Sequence, residues 1–202
     1  DDFAWLEFRR VLFRSMILGA VYLKKQNKLA NDTLVVTTMS NIGLHAAAKE
    51  YGIDLAITDV GDRYVIEEMK KSGHNLGGEQ SGHMIFLDYN TTGDGTLSSL
   101  IVSKIVKEDG KTLSEQSALM TTYPQVLINV EVRNEVKNKF MENDEIRAEI
   151  ERLEKLMNGT GRVLIRPSGT QPLVRVMLEG KDEGQIRELA QGLADLIKEK
   201  LA

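Results

Sequence analysis

The chain of 202 residues contains no cysteine. That absence removes disulfides, thiolate nucleophiles and cysteine-built zinc sites together, and fits a cytoplasmic location. No apolar run approaches the length needed to cross a bilayer. An excess of one charge is missing as well: 26 Lys and Arg stand against 30 Asp and Glu, a formal net charge of -4. A weakly acidic surface without a local basic patch attracts neither nucleic acid nor an anionic membrane, so neither is expected as a partner. What remains is 42% hydrophobic and 28% charged, an ordinary globular composition long enough for two small domains.

The opening segment stands apart. Phe3, Trp5, Phe8 and Phe13 mixed with Arg9, Arg10 and Arg14 superficially resemble a basic amphipathic helix. However, Arg10-Val11-Leu12-Phe13-Arg14-Ser15 is also what one frame of a widely used sequencing adapter encodes. Residues 1–15 are therefore read as a non-native leader, with native sequence beginning near Met16.

From Met16 onward the pattern alternates. Ile17, Leu18, Val21 and Tyr22 recur at helical spacing up to Gln26. The β-branched run Leu34 to Thr37 reads as a strand, and Ser40-Asn41 caps a helix through Leu44 and Ala48 that stops at Gly52. The unit repeats with a strand over Asp54 to Val60, the loop Gly61-Asp62-Arg63 and a helix from Val65 to Lys71 closed by Gly73. After Gly77-Gly78, read as loop, come a strand from Met84 to Leu87, a polar loop to Gly95 and a helix from Thr96 to Lys107. This predicts a layered α/β domain over residues 16–120. Beyond Tyr123-Pro124, Val126, Ile128, Val130 and Val132 alternate at period two. Ile146, Ile150, Leu153 and Leu156 then mark a helix, strands cover Arg162 to Ile165 and Leu173 to Leu178, and Ile186, Leu189, Leu193, Leu196, Ile197 and Leu201 line a final helix. Residues 121–202 are thus expected to form a small α+β domain, an antiparallel sheet with helices on one face.

Several loops carry chemistry. Arg166-Pro167-Ser168-Gly169-Thr170-Gln171-Pro172 lies between two apolar strands and suits a phosphate. Arg166 offers a planar fork, Ser168 and Thr170 add hydroxyls, and Gly169 has no Cβ to hold backbone N–H groups off an anion. Its two prolines limit the entropy lost on binding. A tight hairpin with no ligand accounts for the same composition. Arg175, on the following strand, is either an accessory phosphate ligand or a snorkelling surface residue.

In Gly77-Gly78-Glu79-Gln80-Ser81-Gly82-His83, the Glu79 carboxylate can accept from neighbouring sugar hydroxyls while Ser81 and His83 add hydrogen bonds. The alternative is a Gly-rich turn with Glu79 exposed and His83 merely solvated. Gly61 and Arg63, in Val60-Gly61-Asp62-Arg63-Tyr64, sit at a strand-to-helix junction that favours anions, with Asp62 read as the helix cap. Asp94, between glycines, has too few oxygen ligands beside it for a hard cation and is read as a cap. His45 and His74 have no partner pattern.

In order and spacing, the GGEQSGH, VGDRY, TTGDG and RPSGTxP segments resemble the α-D-phosphohexomutase superfamily, from about Met16 to the C-terminus. The resemblance implies the C-terminal half of such an enzyme, its third and fourth domains. It implies that Glu79 and Ser81, with His83 beside them, grip sugar hydroxyls, and that Arg166, Ser168, Gly169 and Thr170 hold the non-reacting phosphate. Gln171 departs from the family's usual glutamate and loses a charge there. Within the superfamily the loops look most like those acting on a hexosamine phosphate, with sister enzymes of mannose or glucose phosphates and a non-catalytic sugar-phosphate binding module as alternatives. For the full-length enzyme the resemblance implies Mg²⁺, glucosamine 1,6-bisphosphate and a homodimer. Neither a Ser-His-Asn-Pro nor an Asp-x-Asp-x-Asp-Arg motif is present, so no catalytic residue, metal ligand or bound cofactor is expected in this chain. Its partners would be the missing N-terminal domains.

Overall fold

The computed structural model describes residues 2–157, 159–169 and 171–201, with side chains from residue 14 onward. The side chains of most of the expected leader, and all of Thr170, therefore lie outside the described residues. The chain divides into two compact units, Asp1–Thr122 and Tyr123–Ala202.

In the first unit the chain runs α1 (Asp2–Lys25), β1 (Thr33–Thr37), α2 (Ile42–Glu50), β2 (Asp54–Thr58), α3 (Asp62–Ser72), β3 (Leu76–Gly78), β4 (Met84–Phe86), α4 (Gly95–Asp109) and α5 (Leu113–Ser117). The sheet order is β2-β1-β3-β4. β1 runs parallel to β2 and β3, and β4 turns back antiparallel to β3. Every residue of β1 is buried, as expected for a central strand covered on both faces. On one face Leu34, Val36, Leu76 and Phe86 pack with Met16, Ile17 and Val21 of α1, Leu44 of α2 and Ile105 of α4. On the other, Val35 and Ile85 meet Val65 and Met69 of α3. The result is a helix–sheet–helix sandwich.

Local chemistry sets the helix ends. Asn41 is buried and its Oδ1 accepts from Gly43 N at 3.0 Å, capping α2. Asn41→Ala should cost about 1 kcal/mol in a denaturant titration. The Gly73 and Gly110 residues that end α3 and α4 both hold left-handed φ, the conformation glycine adopts without penalty.

The second unit contains β5 (Gln125–Glu131), α6 (Asp144–Met157), β6 (Gly161–Pro167), β7 (Leu173–Gly180) and α7 (Glu183–Leu201), with a short 3-10 turn at Phe140–Glu142. The strands form an antiparallel sheet ordered β5-β7-β6. Val126 and Val130 of β5 and Val174, Val176 and Leu178 of β7 face the helices. There they pack on Ile146 and Leu153 of α6 and Ile186, Leu193 and Ile197 of α7. The alternation of β5 and the stripes of both helices thus bury one face of the sheet.

The fold class read from the sequence is the one found, a layered α/β unit and then a small α+β unit. Beyond the short helix α5, which was not expected, the difference lies at Gly77-Gly78, which form β3 rather than a loop. A Cβ on Gly77 would stand 2.7 Å from Met69 Sδ and 2.8 Å from Val65 Cγ1. One on Gly78 would stand 2.5 Å from His83 O. Glycine is there for the close approach of helix and neighbouring strand, not for a flexible turn.

Candidate functional site

The C-terminal ends of β2 and β3 carry the polar loops of the first unit. β3 and β4 are adjacent antiparallel strands, so Glu79 to His83 is the turn of a hairpin. Glu79 N donates to His83 O at 2.9 Å and Gly82 N to Glu79 O at 3.3 Å, closing it. Within it three side chains converge. Ser81 Oγ donates to Glu79 Oε1, and His83 Nδ1 lies 3.3 Å from that oxygen and 3.4 Å from Ser81 Oγ. Glu79 is 8% exposed, whereas Ser81 and His83 are exposed. A buried carboxylate with a hydroxyl and an imidazole at its rim is a donor–acceptor set for hydroxyl groups. Burial of Glu79 removes the alternative in which it projects into solvent from a plain turn. Gln80, which the sequence did not single out, is also buried, and its Oε1 has no hydrogen-bond partner among the described residues.

At the end of β2 the helix cap is Gly61, with φ of 139°. Asp62 does not take the capping place expected for it. It is the first residue of α3, and its Oδ1 accepts from Arg63 N at 2.8 Å. Arg63 extends along α3, its Nε 2.7 Å from Glu67 Oε1, so its charge is answered one turn on rather than turned toward the loop. Asp94 caps α4: Oδ1 accepts from Leu97 N at 2.9 Å, and Asn90 Nδ2 donates to Oδ2 at 3.1 Å. The Leu97 amide above all, and then Asn90, holds its carboxyl below the usual aspartate range. Because the folded pKa is depressed, this stabilisation is present above the unfolded value and is lost as pH falls through the folded one.

In the second unit β6 and β7 form the hairpin that carries the other loop. Ser168 N donates to Leu173 O at 2.9 Å, and Gln171 N donates to Ser168 Oγ at 3.2 Å. Ser168 is buried, and Gly169 is exposed with nothing within 4 Å of a Cβ built on it. The strand register sets Arg166 directly opposite Arg175, on the sheet face away from the helical core. Arg175 is half-buried, and its Nε has no hydrogen-bond partner among the described residues. A surface residue snorkelling to water would not leave that group desolvated. Further along the same face Glu179, fully buried, takes Arg162 Nε at 2.7 Å and Gln125 Nε2 at 3.0 Å. Lys137, from the segment before α6, donates to Ser168 O at 2.8 Å. Nothing local in the sequence signalled that contact.

Residues 14–123 match the family profile described as phosphoglucomutase/phosphomannomutase, alpha/beta/alpha domain III, and residues 127–196 match the C-terminal domain of that family. The phosphoglucosamine mutase of Clostridioides difficile (strain 630) is 68% identical over 187 residues, which cover 93% of this chain and 42% of that protein. The phosphoglucosamine mutase of Thermoanaerobacter sp. (strain X514) is 60% identical over 186 residues, 92% of this chain and 42% of its own length. The chain therefore spans well under half of these relatives. Among solved structures, Aspergillus fumigatus N-acetylphosphoglucosamine mutase in complex with GlcNAc-6P and magnesium superposes with a TM-score of 0.76 at 20% identity, over 96% of this chain and 44% of that one. At that identity the likeness is one of fold.

Proposed function

From the premise that the chain belongs to the phosphoglucomutase/phosphomannomutase family, we propose that it holds the sugar and the non-reacting phosphate for a phosphoglucosamine mutase. That enzyme is an isomerase interconverting glucosamine 6-phosphate and glucosamine 1-phosphate through glucosamine 1,6-bisphosphate. The observation that carries the reading is the β6–β7 hairpin. Arg166 and Arg175 stand opposite each other, which gathers beside the loop two guanidinium groups whose planar forks suit phosphate oxygens. The loop beside them offers Ser168 and Gly169, and Thr170 completes the set proposed for phosphate. In the first unit, Glu79 accepts from sugar hydroxyls, with Ser81 and His83 at the rim. Gly61 shapes the neighbouring loop. Arg63, already engaged by Glu67, contributes field rather than a direct contact.

The chemistry explains what such an anchor is for. Phosphoryl transfer is catalysed chiefly by positioning and charge neutralisation. A mutase that adds phosphate at one end of the sugar and removes it from the other must hold whichever phosphate is not reacting. Mg²⁺, when bound to the whole enzyme, supplies neutralising charge at the transferred group. The residues here do not fit it: among the described residues no group of three or more Asp, Glu or His side chains could hold a metal ion. The Ser-His-Asn-Pro and Asp-x-Asp-x-Asp-Arg motifs that this chain lacks, serving as phosphorylated nucleophile and metal loop, would lie in the N-terminal domains, the partners of these units.

The chain alone is accordingly expected to bind glucosamine 6-phosphate without isomerising it. In a ³¹P NMR assay with Mg²⁺ and catalytic glucosamine 1,6-bisphosphate, the 6-phosphate signal should persist unchanged. Appearance of glucosamine 1-phosphate would show that the chain carries its own transfer chemistry and would refute the anchor reading.

A further inference from the structure

We infer that Lys137 is a positioning residue for the phosphate loop, turning the Ser168–Gly169 peptide so that the Gly169 N–H is presented to the anion; this rests on the phosphate reading above. Lys137 Nζ donates to Ser168 O at 2.8 Å and stands 3.4 Å from Gln171 O. It therefore closes on carbonyls at both flanks of Gly169 and Thr170. No carboxylate pairs with it among the described residues, so its charge is spent on backbone dipoles of the loop.

The consequence follows from peptide geometry. A trans peptide is planar, with its C=O and N–H pointing in opposite directions, and no cis peptide bond occurs among the described residues. With the Ser168 carbonyl held toward Lys137, the Gly169 N–H must point away from the lysine. That N–H has no acceptor among the described residues. Gly169 is exposed, and open space surrounds the position its Cβ would take. An oriented donor beside free volume is what an anion requires. Were the peptide to flip, the Ser168 oxygen would turn its negative end toward the same space. Lys137 opposes that flip.

The test follows the Gly169 amide by ¹⁵N–¹H NMR as inorganic phosphate is titrated into the whole chain. Wild type, Lys137→Met, Lys137→Arg and Arg166→Ala are compared, each with its melting temperature. In wild type the Gly169 amide should move downfield and saturate. Lys137→Met should weaken phosphate about tenfold and remove most of that shift, while Lys137→Arg, which keeps a cationic donor, stays within about threefold of wild type. The melting temperatures of the two lysine variants should agree. If Lys137→Met titrates like wild type while Arg166→Ala does not respond, the inference is overturned and the phosphate reading stands. Loss of phosphate in both lysine variants alongside a shared fall in melting temperature would mean that the lysine merely supports the fold, which also overturns it. A wild-type chain with no phosphate response would remove the phosphate reading and this inference together.

Discussion

Arg166→Ala should weaken binding of a phosphate monoester by about 30- to 100-fold, the loss expected when a charge-assisted bidentate contact is removed. The fold should not suffer in proportion. Arg166 lies on the sheet face away from the helical core, opposite Arg175, so its truncation opens no cavity in that core. The two effects separate in one experiment, because a ligand that binds only the folded state raises its melting temperature with concentration. Phosphate should stabilise the wild-type chain and leave Arg166→Ala unmoved, with the two chains melting close together in its absence. Arg166→Lys should recover part of the binding at most, since an ammonium keeps the charge but not the planar fork.

The largest effect on stability is expected at the other end of the same hairpin. Glu179 is fully buried and takes Arg162 Nε at 2.7 Å. Arg162→Met removes the guanidinium from a fully buried carboxylate that keeps Gln125 Nε2 at 3.0 Å, and should cost about 3–5 kcal/mol in urea titration. Replacing both members with apolar residues of similar volume should cost far less, because the desolvation of both charges is then avoided.

Much of the architecture could be read without coordinates because it rests on periodicity. The stripe of Ile186, Leu193 and Ile197 on α7 and the alternation of Val126 and Val130 on β5 each face one core, and such patterns survive in sequence. Two elements escaped. β3 was hidden because close packing against Met69 and Val65 requires glycine at Gly77, and glycine reads as a turn. α5 carries a full capping box from Thr112 and Glu115, a visible signal, but spans too few residues to show a hydrophobic period. In the site, the residue types of both loops were legible. The burial of Glu79, the register that opposes Arg166 to Arg175, and the approach of Lys137 to Ser168 were not. The contact of Lys137 with Ser168 spans 31 positions of the chain, which no local pattern records, and the register depends on the turn between the strands rather than on the residue types themselves.

A chain that anchors a hexosamine phosphate should bind one in calorimetric titration of glucosamine 6-phosphate into the folded chain, beside unphosphorylated glucosamine and mannose 6-phosphate. Saturable binding of glucosamine 6-phosphate is expected, with none for glucosamine and weaker binding for mannose 6-phosphate. No binding of glucosamine 6-phosphate by a chain shown to be folded would contradict the anchor reading.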